Sequence, residues 1–414
     1  MSHPGLEQDE IVKLYYIDNI SAAHQKIVDN FNNKYRGKIE VIPVNLPFEK
    51  FSTNERKELL ARSLRSKNRR IDIFAVDLIW VKRFAKWSEP LELYFPQPNR
   101  KLFIEEAFIS CYHDDVLYAI PFYIDIGLMY YREDIIKKLP DSEQIIRKLK
   151  NSISWKDLLD LRQKYFRDKK DFFLFSAKNF EGLICFYLEF LSEHGGTLLG
   201  SDGVDSINLC TPEAVATLEK LQRFMYKEQF IPKNVVNFND DDVYNYALKN
   251  DVPFFRGWPG FKTQFIAADQ ILRKKASFVQ PAMLPHVVEN GAYGVYGGWN
   301  FMISKFSEHK KEAAEFIQFA ISEESQKILH EFGGYIPVNR FVYEDKRFLA
   351  KHKELIYLKN LLQTGFHRPY REDYTRISDI ISFYVHKALK GEMTAAEALK
   401  EASYYINAKK YLLK

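Results

Sequence analysis

The chain has 414 residues, 46% hydrophobic and 28% charged, a length that exceeds one core and suits two domains. Its 60 basic and 55 acidic residues are interspersed and leave a net charge of +5, which gives no support to a nucleic-acid or membrane-surface partner. Cys111, Cys185 and Cys210 show neither CxxC nor Cys/His spacing, so no disulfide framework, metal or other cofactor is expected.

The first ten residues lack an apolar core, so no signal peptide is expected there. Residues 12–16 read as a strand, followed by the polar turn Asp18-Asn19-Ile20-Ser21 and a helix presenting Ala23, Ile27, Val28, Phe31 and Tyr35. Gly37 stops that helix. A strand over 39–42 follows, with Pro43 predicting an edge position. A polar helix near 54–66 leads to the apolar run 71–76, a buried parallel strand ending at Asp77. Ligands of open α/β sheets gather at the carboxyl ends of strands, which singles out Asp18 and Asp77.

Residues 117–131 form an extended stretch too long for one ordinary strand, with Gly127 inside it. Ser154 is a predicted N-cap, an apolar helix runs over 180–193, and Thr211-Pro212-Glu213 opens another helix. Within 296–304, Gly297-Gly298 allow close backbone approach, Trp299 offers an apolar face and Asn300 an amide. That combination suits a polyhydroxylated ring, whose CH faces stack while its hydroxyls take hydrogen bonds. Ser307 is a predicted N-cap for the helix carrying Ala313, Phe316 and Ile317, and Thr394-Ala395-Ala396-Glu397 is a capping box.

Taken together, the segments 71–80, 117–132, 154–159, 253–259, 297–304, 333–337 and 368–399 resemble the extracellular solute-binding proteins of the maltose- and trehalose-binding type, in family order and across about residues 11–408. The resemblance implies an α/β, two-lobed, type II periplasmic-binding-protein fold with about three crossovers. It puts 11–125 and 300–340 in the N-terminal lobe, and 126–299 and 341–414 in the C-terminal lobe. It also implies a carbohydrate receptor, not an enzyme, that closes on a di- or oligosaccharide by hinge motion. ABC-importer membrane subunits would be its partner, its place would be extracytoplasmic, and it would act as a monomer.

Carried over by position, the expected sugar contacts are Asp77, Tyr123, Asp125, Trp258, Gly298, Trp299, Asn300 and Arg368. Asp18, Asn19 and Tyr335 are further candidates, and Trp80 is expected to be structural. Carboxylates accept hydroxyls in charge-assisted bonds and arginine donates in a fixed fork. The indole and phenol rings would stack on sugar faces. The alternative reading is a sugar-sensing ectodomain of a membrane signalling protein. A cleft cysteine nucleophile is the remoter one, weakened because Cys111, Cys185 and Cys210 fall on segments read as structural.

Overall fold

The computed structural model describes residues 10–47, 50–51, 53–96, 100–151, 153–198, 207–264, 269–287 and 294–409. Residues 1–9, on which most of the signal-peptide reading rests, lie outside them. The chain divides into two compact units. One comprises Met1–Ile124 and Gly298–His352, the other Asp125–Gly297 and Lys353–Lys414. Among the described residues, no helix is long and apolar enough to cross a membrane.

The first unit is built on a sheet with strand order Ile336–Pro337, Ile120–Ile126, Tyr296–Ile303, Ile73–Asp77, Val12–Asp18, Ile39–Asn45. Val12–Asp18 runs parallel to both Ile39–Asn45 and Ile73–Asp77, as βαβ crossovers require. Tyr296–Ile303 enters antiparallel, setting Trp299 opposite Asp77. The Pro43 strand is the sheet edge, where a missing N–H costs no ladder bond. Helices Ala22–Lys34, Lys310–Ala320 and Glu323–Gly333 bury apolar faces, with Phe31 set edge-on to Phe316 at 5.1 Å.

The second unit has a sheet ordered Val279–Ala282, Leu128–Arg132, Phe254–Gly257, Phe173–Leu174. Above it lies the almost wholly buried helix Glu181–Glu193. Trp155 stands edge-on to Phe173 and Phe190, with its indole N–H donating to Glu193 at 2.5 Å. Ser154 caps its helix and Thr394 forms its capping box as the sequence predicts, the Ser154 cap being itself a box with Asp157, and Thr211 caps Pro212–Tyr226.

The extended stretch of 117–131, too long for one ordinary strand, is divided at Gly127 into Ile120–Ile126 and Leu128–Arg132. A Cβ there would stand 1.7 Å from Oε1 of Glu189, so only glycine lets the chain pass. Ser307 does not cap the next helix. Its hydroxyl is engaged by Asp72, and the helix Lys310–Ala320 starts after His309. The last unit boundary falls after His352 rather than at residue 341. The intervening segments stay with the first unit through Tyr343, whose hydroxyl donates to the Pro337 carbonyl, and Asp345, paired with Lys327 at 2.6 Å.

Candidate functional site

In the first unit, several of the expected residues come together at the carboxyl ends of the parallel strands. Asp18 ends its strand and is buried. It accepts from the Tyr16 hydroxyl at 2.5 Å and from Arg56 at 3.0 Å, and lies 3.4 Å from Nε2 of His24. Burial pushes its carboxyl up. The hydrogen bond and charge of His24, the Arg56 charge and the Tyr16 hydroxyl outweigh that and hold it below the usual range. The Arg56 guanidinium in turn lies over Trp299, 4.1 Å from the ring centroid. Trp80 meets Trp299 edge-on at 5.4 Å and is buried, the structural role expected of it. Tyr123 and Tyr335 pack 4.3 Å apart, both rings also meeting His24 edge-on.

Asp77 faces Trp299 across the ladder, and one of its oxygens caps the short helix Leu78–Trp80 through the Ile79 amide at 3.2 Å. Asn19 is half-buried beside Asp18, whose Oδ1 takes the Asn19 amide. Asn300 is turned to the interior, its amide donating to Ser110 at 3.0 Å. Gly298 carries φ of +131°, and a Cβ would stand 2.5 Å from the Tyr123 carbonyl oxygen.

The second unit holds a parallel arrangement. Arg256 on the Phe254–Gly257 strand lies over Trp258, 3.8 Å from the ring centroid. Its Nη2 and Nε hold the two oxygens of Glu189 at 2.7 and 3.1 Å in a buried fork. Burial pushes the Glu189 carboxyl up, opposed by the Arg256 charge and by hydrogen bonds from Arg256 and the Val295 amide. The Trp258 backbone is pinned at both ends: its amide donates to Tyr244, its carbonyl accepts from Tyr130. A Cβ on Gly297 would touch the Trp258 ring at 2.9 Å and Asp125 at 3.4 Å, so Trp258 and half-buried Asp125 flank that glycine. Arg368 lies in the same unit, donating to the carbonyl of Tyr296, the neighbour of Gly297, at 3.3 Å. It is buried and paired with Glu181 at 2.7 Å, a carboxylate that also takes the hydroxyls of Tyr374 and Ser378.

Sequence reading missed Arg56, His24, Arg256 and Glu189. A signal existed for the first two. Arg56 falls in the row Arg56, Leu60, Leu64 on Thr53–Arg65, and His24 shares the buried face with Ile27, Val28 and Phe31. A polar residue on an apolar helix face must have a buried partner.

The sequence matches the profile of bacterial extracellular solute-binding proteins over residues 17–327. The chain belongs to that family. A probable ABC transporter-binding protein of Deinococcus radiodurans is 24% identical over 358 residues, 84% of this chain and 82% of its own. Among solved structures, maltose-bound MalE3 of T. maritima superposes with a TM-score of 0.83 at 25% identity, covering 96% of this chain and all of its own. A solute-binding protein of Thermotoga lettingae bound to α-D-tagatose, 22% identical, shows the same two-lobed α/β fold with a TM-score of 0.80, over 96% and 99% of the two chains. The family is extracellular, so this solute-binding protein works outside the cytoplasm.

Proposed function

We propose that this solute-binding protein is a carbohydrate receptor, in the periplasm or at the cell surface, that delivers a sugar to the membrane subunits of an ABC importer. One observation carries the reading: each unit holds an indole ring backed by a guanidinium, and each guanidinium is fixed by a buried carboxylate. Trp258 is half-buried and Trp299 6% exposed, and rings so anchored can meet sugar CH groups with little ordering cost at binding. Asp77 and Asp125 supply acceptors near Trp299 and Trp258 respectively, which suits hydroxyls. Maltose in the T. maritima structure supports a glucoside as the first ligand to try.

The protein acts by binding. The Cys111 and Cys185 thiols are buried and pushed up by that burial, the reverse of an activated nucleophile.

The test is a melting series with maltose, maltotriose, trehalose and glucose. A bound sugar at a hundred times its Kd stabilises by about 2.7 kcal/mol. The rise in Tm should vanish in both W258A and W299A, whose sugar-free melting should still be cooperative. An unchanged rise in both variants, or no rise with any saccharide, would overturn the assignment.

A further inference from the structure

The first unit holds a histidine pair that the sugar reading leaves unused. His330 lies on the inward face of Glu323–Gly333 and is 4% exposed. Its Nδ1 is 2.9 Å from the Tyr335 carbonyl oxygen. A carbonyl only accepts, so Nδ1 carries the proton and Nε2 of the neutral ring holds the lone pair. His352 ends the helix Lys346–Lys351 and is half-buried. The two rings meet edge-on, with centroids 5.2 Å apart and planes at 82°. Their ligand nitrogens lie within 4.8 Å of one another. Phe348 packs on His352 at 4.4 Å and lies 6.0 Å from His330, giving the pair an apolar wall.

We propose that His330 and His352 form a binding site for a divalent transition-metal ion of the Zn2+ class. Imidazole nitrogen is a preferred ligand for zinc, nickel and copper. An imidazole that donates its other N–H to a backbone carbonyl has the orientation and tautomer of a metal ligand. Zn–N bonds of about 2.0–2.1 Å set two ligating nitrogens at most ~4 Å apart. The nitrogens lie within 4.8 Å, so holding one ion requires His352, placed at a helix end, to close toward His330. Glu354, two residues further along the chain, adds a carboxylate to the local sequence, and water completes the sphere. The spacing of 22 residues between the two histidines fits no short metal motif, which is why only the packing of helix ends reveals the pair.

Isothermal titration of ZnCl2 into chelator-treated, untagged protein tests this, with H330N and H352A beside the controls C210S and H309A. Cys210 is exposed and is the main competing soft ligand. Wild type, C210S and H309A should bind one Zn2+ per chain. H352A should lose more than the roughly 10–100-fold that follows loss of an outer-sphere partner. Because His330 is buried and holds Tyr335, H352A is the deciding variant, and its metal-free melting checks that it folds. Absence of binding in wild type, or equal affinity in a folded H352A, would overturn the proposal. Either result leaves the sugar assignment untouched, since that is read from Trp258 and Trp299.

Discussion

Arg256 covers Trp258 at 3.8 Å while its fork grips Glu189 at 2.7 and 3.1 Å. The stack and the ion pair are therefore one device, and disturbing either end should move the other. R256M leaves the Glu189 carboxylate buried and unpaired, a loss of about 3–5 kcal/mol. The double variant R256M/E189Q should recover much of that cost. Chemical denaturation of the four proteins measures the coupling, and additive losses would deny it.

Gly298 should tolerate no side chain. Its φ of +131° and the Tyr123 carbonyl oxygen, 2.5 Å from where a Cβ would stand, act together. G298A is expected to lose about 1–3 kcal/mol or more. A denaturation midpoint equal to wild type would show that the strand can relax locally.

Asp18 makes stability acid-sensitive. Its folded pKa lies below the ordinary 3.8, so its contribution is present above that value and lost as pH falls through the lower folded one. D18N should be less stable than wild type at neutral pH, by about 3–5 kcal/mol for a buried pair losing one partner. The gap between the two should narrow in acid. Urea melts between pH 2 and neutrality, with about two points per pH unit, would reveal a constant gap if Asp18 does not titrate this way.

Glu193 has the opposite sign. Burial raises its carboxyl well above the ordinary 4.5, against the indole N–H of Trp155, which lowers it. The folded state then binds a proton that the unfolded chain releases, so this group erodes stability as pH rises above the unfolded value. E193Q removes the titration and should gain on wild type as pH rises from acid to neutral. A difference independent of pH would mean that Glu193 titrates alike in the folded and unfolded chain.

Thiol labelling should find one reactive cysteine in the native chain. Cys210 is exposed, whereas Cys111 and Cys185 are buried and pushed up. A thiol-specific reagent such as DTNB should modify C210S protein only on unfolding. Fast native labelling of C210S would contradict the burial.

The local grammar of the chain was readable without coordinates. Caps at Ser154, Thr211 and Thr394 form because their side chains satisfy nearby amides within three residues. The run 71–76 signalled a buried strand, and Asp77 closes it. Ser307 stands two residues ahead of the N-cap His309, its oxygen accepting the His309 amide and its hydroxyl donating to Asp72, 235 residues away and beyond any local pattern.

The amino-acid order by itself determined the α/β class, the family and the acid and indole side chains worth watching. The class depends on periodicity and on turn chemistry within a few residues, the family and those side chains on the resemblance of segments in family order. Only the tertiary structure decided which of them share a neighbourhood. It set Arg56 on Trp299 across 243 positions of chain and Arg256 against Glu189 across 67, and it turned Asn300 toward Ser110 and Arg368 toward Glu181. Buried charge must find a partner wherever the packing brings one, and nothing in local spacing says where that is.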